Sequence, residues 1–232
     1  MDNRCMCIAC DVKSSRTFKK DFVTILLESA EQINRNYQGD LLIPFDVRNG
    51  DELIGVVRDF SKGYELTKKL KDSLAEKNVF LYIGIGLGQL ESNELSTIHT
   101  MNGSAVLYAL DARDRFLKKN HPEARNWLVD EKRSSIFIYS NDYPYQALNA
   151  LIYSIEDKIH NRSDKQKEVV QVVNENPKLT YEQIGKQMGY KSPKSTVSYL
   201  LSRASFNTVK AMEESLVNLL EELQQRYKKE GS

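Results

Sequence analysis

Asn49-Gly50-Asp51 lies between two short apolar runs, Leu41 to Phe45 and Leu53 to Val57. Asn-Gly tolerates positive φ at little cost, which makes it the strongest short-range signal for a β-hairpin. A hairpin here fixes two antiparallel neighbours in one sheet, and the flanking chain must arrange itself around that pair. Upstream, Cys5 to Cys10 is short, apolar and bounded by charge, as a buried strand is. Thr17 to Tyr37 follows, with Phe18, Phe22, Ile25, Leu26, Ala30 and Ile33 at the spacing of an amphipathic helix. Downstream, Gly63 to Lys77 is helical by composition, and Val79 to Leu87 alternates like a strand. Gly103 to Lys119 reads as a helix, Ile136 to Tyr139 as a short strand and Ala147 to Ile159 as an amphipathic helix.

The first six elements have the order βαββαβ, which is the unit of a ferredoxin-like fold in the α+β class. In that topology strand one is central and lies beside the hairpin, so the end of strand one comes close to the hairpin turn. Asp11 directly follows Cys10, and Asp51-Glu52 sits at the turn. Two carboxylates brought together repel unless a cation lies between them. Mg²⁺ suits such a place because it takes one or two carboxylates plus phosphate oxygens. Ser14, Ser15 and Arg16, at the approach to the next helix, have the backbone N–H groups and the guanidinium to hold a nucleotide's phosphates. A polar turn with Asp11 capping the helix approach remains the alternative.

Several strings carry a family resemblance: Cys10-Asp11-Val12-Lys13-Ser14-Ser15-Arg16, Asn49-Gly50-Asp51-Glu52-Leu53, Ile83-Gly84-Ile85-Gly86-Leu87-Gly88, Asn102-Gly103-Ser104-Ala105-Val106 and Ala112-Arg113-Asp114. In order and spacing they resemble the SatD family over most of the first 160 residues. More distantly they resemble the palm domain of class III nucleotide cyclases and GGDEF-type diguanylate cyclases. That likeness implies a divalent cation on Asp11 and Asp51, with the Val12 carbonyl as a further ligand. Asn49 to Leu53 departs from the GGDEF string at its first and last residues. Leu107 and Asp111 stand nearest to where class III cyclases carry a transition-state Asn and Arg, and neither suits that role.

Gly84, Gly86 and Gly88 superficially look like a dinucleotide motif, but no turn into a glycine-rich helix start follows them. Glycine on a strand more often admits another backbone, here a helix or a ligand base. Cys5, Cys7 and Cys10 cannot form a closed disulfide framework, and strand alternation sends Cys7 and Cys10 to opposite faces, so they read as buried small apolar residues. His99, His121 and His160 are scattered and show no ligand spacing.

The charge distribution divides the chain. Residues 1–157 carry 20 Lys+Arg and 23 Asp+Glu, so 20 − 23 = −3. Residues 158–210 carry 10 and 4, so 10 − 4 = +6. A compact basic segment after a mildly acidic body is the electrostatic footprint of a nucleic-acid-binding unit. In this segment a helix begins at Ser163 and ends before Pro177. Thr180 and Gln183 form a capping box, and Gly189 suits the end of that helix. Ser192-Pro193 opens another, with Ser192 as N-cap. Leu179, Ile184, Met188, Val197 and Leu201 supply a small core, and the pattern is that of a helix-turn-helix. Its outward residues, Lys191, Ser192, Lys194, Ser195, Thr196, Ser198, Tyr199, Ser202 and Arg203, have the chemistry to hold phosphates and reach base edges of double-stranded DNA. A tri-helical protein-interaction module would share the core pattern. A last helix, capped by Asn207, carries Val209, Met212, Leu216, Leu219, Leu220, Leu223 and Tyr227 at heptad-like spacing, which suggests pairing into a homodimer.

The sequence therefore suggests two domains, 1–160 and 161–232. With no secretory signal and no apolar run long enough for a membrane, it suggests a cytoplasmic protein. The leading expectation is a DNA-binding regulator with a nucleotide- and Mg²⁺-sensing domain. The rivals are a Mg²⁺-dependent nucleotidyl-transfer or cyclase-like enzyme and an interaction scaffold.

Overall fold

The computed structural model describes residues 3–14, 22–91 and 102–230, with side chains as far as residue 225. It is an α+β protein. Five strands, β1 (Arg4–Val12), β2 (Leu41–Arg48), β3 (Glu52–Val57), β4 (Leu81–Gln89) and β5 (Ser135–Tyr139), form one mixed sheet in the order β2-β3-β1-β4-β5. β1 runs antiparallel to both β3 and β4, and β5 is parallel to β4. The hairpin is where the sequence puts it: Arg48 pairs with Glu52, and Asn49 and Gly50 both have positive φ, 53° and 84°.

The chain separates into two compact units, one of residues 1–150 with 217–232 and one of residues 151–216. The first unit therefore takes in the end of the last helix. In this unit α1 (Phe22–Asn36) and α2 (Phe60–Glu76) follow β1 and β3. Phe18 and the start expected at Thr17 lie outside the described residues. Gly63 of α2 lies against Met6 of β1, on the sheet face opposite Cys5 and Cys7.

After β4 comes α3 (Ser104–Asp111), which passes without a break into a π-helical segment, Ala112–Lys118, then short α4 (Pro122–Arg125). Sequence periodicity suggests one uniform helix from Gly103 to Lys119; the structure winds its second half with i→i+5 geometry. α3 packs on Cys5, Cys7, Ala9, Ile54 and Val56 through Ala105, Val106 and Ala109. The β4 glycines permit this approach. A Cβ on Gly86 would lie 2.0 Å from the Ala105 carbonyl oxygen, and one on Gly84 would lie 2.2 Å from that of Ala109. Of the two occupants open to a glycine strand, a helix fills the space. Cys5, Cys7 and Cys10 are all buried and none is in a disulfide. Burial pushes the Cys7 thiol well up and that of Cys10 to about 12, so neither is a ready nucleophile.

α5 (Tyr145–His160) leads toward the second unit, in which α6 (Asp164–Glu175), α7 (Tyr181–Gln187) and α8 (Pro193–Arg203) enclose a core of Val169, Val170, Ile184, Val197, Leu201 and Ala204. The last helix is α9 (Phe206–Glu230). Of the seam that the sequence suggests for pairing two chains, Val209, Leu216 and Leu220 are buried, while Met212, Leu219 and Leu223 are half-buried. Gln224, also buried, takes the place of an N-cap for α2. Its Oε1 accepts from Phe60 N–H at 2.9 Å, and its Nε2 donates to the Arg58 carbonyl at 2.8 Å and the Arg4 carbonyl at 3.4 Å. The residue at the N-cap position, Asp59, makes no side-chain capping bond. Among the described residues, no helix is long and apolar enough to cross a membrane.

The packing of α3 makes a direct prediction. Gly86→Ala must push the helix off the sheet and should cost about 3 kcal/mol or more in chemical denaturation. Gly39→Ala, whose Cβ would meet nothing within 4 Å, should stay within about 0.5 kcal/mol of the parent.

Candidate functional site

At the C-terminal end of β1 the register places Asp11 opposite Glu52 on one side and Tyr82 on the other. Paired residues of antiparallel strands share a face, so the acid that shares the face of Asp11 is Glu52. Asp51, the acid the sequence singles out, stands in the turn, where its backbone carbonyl accepts from Val12 N–H at 3.0 Å. Val12 itself is buried. Ser14 is exposed, with φ 58°, while Ser15 and Arg16 lie outside the described residues. Leu107 is on the exposed side of α3, and Asp111 faces Arg115 at 3.9 Å.

The carboxylates at this sheet end are met by cations of the chain itself. Asp11 is 5% exposed, and its Oδ2 accepts from Lys118 Nζ at 2.6 Å. Arg113 is buried as well. It forks onto Asp114, Nε to Oδ1 and Nη2 to Oδ2 at 2.8 Å each, and its Nη2 lies 3.4 Å from Glu52 Oε1. Among the described residues Arg113 Nη1 is buried without an acceptor. The π-helical segment makes this convergence possible. Five residues along an α-helix turn through about 500°, leaving two side chains about 140° apart. The wider π winding brings Arg113 and Lys118 to the same end of the sheet. Among the described residues no group of three or more His, Cys, Asp or Glu has the arrangement to hold a metal ion. With Lys118 on Asp11 and Arg113 beside Glu52, the residues as they stand do not fit the divalent cation suggested by the sequence.

Lys13, one step past β1, is held from three sides. Its ammonium donates to the carbonyls of Glu131 and Arg133 and to Ser135 Oγ, and it lies 4.6 Å from the centre of the Tyr82 ring. Burial lowers its pKa to about 8, against the opposing pull of Asp130 and Glu131.

The second unit offers a separate surface. The Thr180 capping box forms: Thr180 N–H donates to Gln183 Oε1 at 2.8 Å and Gln183 N–H to Thr180 Oγ1 at 3.3 Å. A Cβ on Gly185 of α7 would lie 2.5 Å from the Pro193 Cα and carbonyl oxygen, so only glycine lets α8 start this close. Ser192 occupies the N-cap position of α8, but its hydroxyl makes no capping bond and stays exposed. Lys191, Lys194, Ser195, Ser198, Tyr199, Ser202 and Arg203 are exposed with it, and Thr196 is half-buried. Among the described residues Lys191, Lys194 and Arg203 have no ion-pair partner. No acidic residue occurs between Glu182 and Glu213.

No protein-family model matches this sequence, and no curated protein is similar enough to count as a relative.

The Lys13 environment sets a pH dependence. In the unfolded chain the lysine titrates near its ordinary value of 10.5, and in the folded protein near 8. Between these values the unfolded chain binds more protons, so this group's contribution makes stability rise as pH increases from about 8 to about 10.5. Below 8 both states are charged and the burial penalty is felt in full. Urea unfolding across this window should show the rise in the parent protein and a flatter profile in Lys13→Met.

Proposed function

We propose that this chain is a DNA-binding transcriptional regulator of the SatD type. The observation that carries the reading is the outer face of α8. Lys191, Lys194, Ser195, Ser198, Tyr199, Ser202 and Arg203 stand exposed on one helix and its entry, free of acidic neighbours in sequence and of ion pairs among the described residues. Unpaired cations beside hydroxyl groups give phosphate contacts, and Tyr199, 63% exposed, extends far enough to meet a base edge or sugar. α7 and α8 with the tight turn between them support the helix-turn-helix reading, in which the second helix enters the major groove. The segment's excess of positive charge favours DNA over an acidic-surface protein partner, since it supplies attraction at every site along a duplex.

The first unit is read as the part that receives the signal. Its strand order, with β1 central and β2-β3 as a hairpin beside it, supports a ferredoxin-like, palm-like domain. By resemblance its effector is a nucleotide, bound near the end of β1 where Ser14 lies.

Fluorescence anisotropy with duplex DNA over a salt series tests the reading. Replacing Lys191, Lys194 and Arg203 together by Ala should weaken binding to all sequences. It should also reduce the slope of log K against log salt by about 0.9 per lost phosphate contact, so about 2.7 for three. Tyr199→Ala should lower affinity for a selected site more than for random DNA. A triple variant that binds with the parent's affinity and slope would sink the assignment.

A further inference from the structure

We propose that Asn34 and Asn149 guard the two edges of the sheet: each amide occupies the place of a further strand's peptide group, and together they keep the sheet from pairing with that of a second copy of this chain. The inference concerns the first unit alone and stands apart from the DNA-binding reading.

The sheet ends in β2 on one side and β5 on the other. An edge strand turns a row of backbone N–H and C=O groups outward, and these pair readily with another extended chain. A side-chain amide carries the same donor and acceptor as a peptide group. On β2, Phe45 N–H donates to Asn34 Oδ1 and Asn34 Nδ2 donates to the Phe45 carbonyl, both at 2.7 Å. On β5, Ile138 N–H donates to Asn149 Oδ1 and Asn149 Nδ2 donates to the Ile138 carbonyl, both at 2.8 Å. Each is the two-bond exchange that a residue of an antiparallel neighbour would make.

The two guards have the same origin. Asn34 lies on α1, the helix before β2, and Asn149 on α5, the helix after β5. Each edge strand is therefore closed by the helix next to it in sequence. Asn149 and Ile138 are 1% and 0% exposed, so no incoming strand reaches that peptide while α5 is seated. β2 carries further obstacles of the same kind. Pro44 has no N–H to offer, Val47 N–H is taken by the Asp46 carboxylate at 2.8 Å, and the register with β3 shifts between Ile43 and Asp46. A dimer of this chain must then join through surfaces other than its sheet edges.

Light scattering of the full chain over a micromolar-to-millimolar concentration series reads the association, and near-ultraviolet circular dichroism reports whether each variant keeps its packing. The mass of Asn149→Ala should climb with concentration to about twice that of the wild type or more, with a gain of β-structure in the amide I infrared band. By strand alternation the Ile136 N–H points outward as that of Ile138 does, so Ile136→Pro removes an edge donor without losing a bond to β4. Adding Ile136→Pro to Asn149→Ala should return the mass to the wild-type value. On the other edge, Asn34→Ala with Pro44→Val should associate in the same way. Neither of those side chains is fully buried, so this variant decides the matter if Asn149→Ala does not fold. The proposal is overturned if the folded variants keep the wild-type mass at every concentration, or if Ile136→Pro leaves the association of Asn149→Ala unchanged.

Discussion

The carbonyl oxygens of Ala105 and Ala109 lie only 2.0 and 2.2 Å from where Gly86 and Gly84 would carry their Cβ atoms, and the architecture of the first unit follows from that contact. A helix normally rests on a sheet through two layers of side chains. Here one layer is missing along β4, so α3 is drawn down against the backbone. The small residues Ala105 and Ala109, with Cys7 and Ala9 opposite, complete a core with little volume to spare. Such a contact fixes the height and direction of the helix, and thereby what its continuation can reach. The π-helical segment continues from a start held at backbone contact, and Arg113 and Lys118 inherit their positions from it.

Charge at the end of β1 is arranged within the chain. A buried acid on a strand end is unstable alone, and the chain supplies a counter-charge from a distant stretch of sequence rather than from a neighbouring strand. Lys13 shows the opposite arrangement, a cation brought inward and met by neutral carbonyls and a hydroxyl, with an aromatic ring beside it. Because burial penalises its charge and no carboxylate bonds to it in compensation, Lys13 holds its proton weakly. Two lysines near the same strand end thus experience different fields, set by which partners the fold provides.

The sequence reveals the parts of this structure that rest on local chemistry. Asn49-Gly50 sets the hairpin because few other pairs accept two positive φ angles. Thr180 and Gln183 satisfy each other's backbone donors within a single turn, so their spacing alone discloses the helix start. The glycines of β4 disclose a close approach, though not by what. Features that rest on distance are hidden. Arg113 and Lys118 converge only in a π winding, and a periodicity of 3.6 sends them apart. The choice of Glu52 over Asp51 as the mate of Asp11 turns on a one-residue register, which a hairpin signal does not resolve. Gln224 is a polar residue on an amphipathic helix, and nothing near it in sequence announces that it caps a helix more than a hundred and sixty positions away.

That last bond bears on how the protein is made. The first unit includes residues 217–232, yet the whole of the second unit, residues 151–216, is synthesised between its two parts. Domains emerging from the ribosome ordinarily fold in the order in which they appear. Here the sheet can assemble early, but the start of α2 must wait with its Phe60 N–H unsatisfied until Gln224 has been translated. The interrupted unit is completed last, so a chain stalled or cut before residue 224 would present a finished helical module attached to an unfinished sheet domain, a form that quality control has a physical basis to recognise.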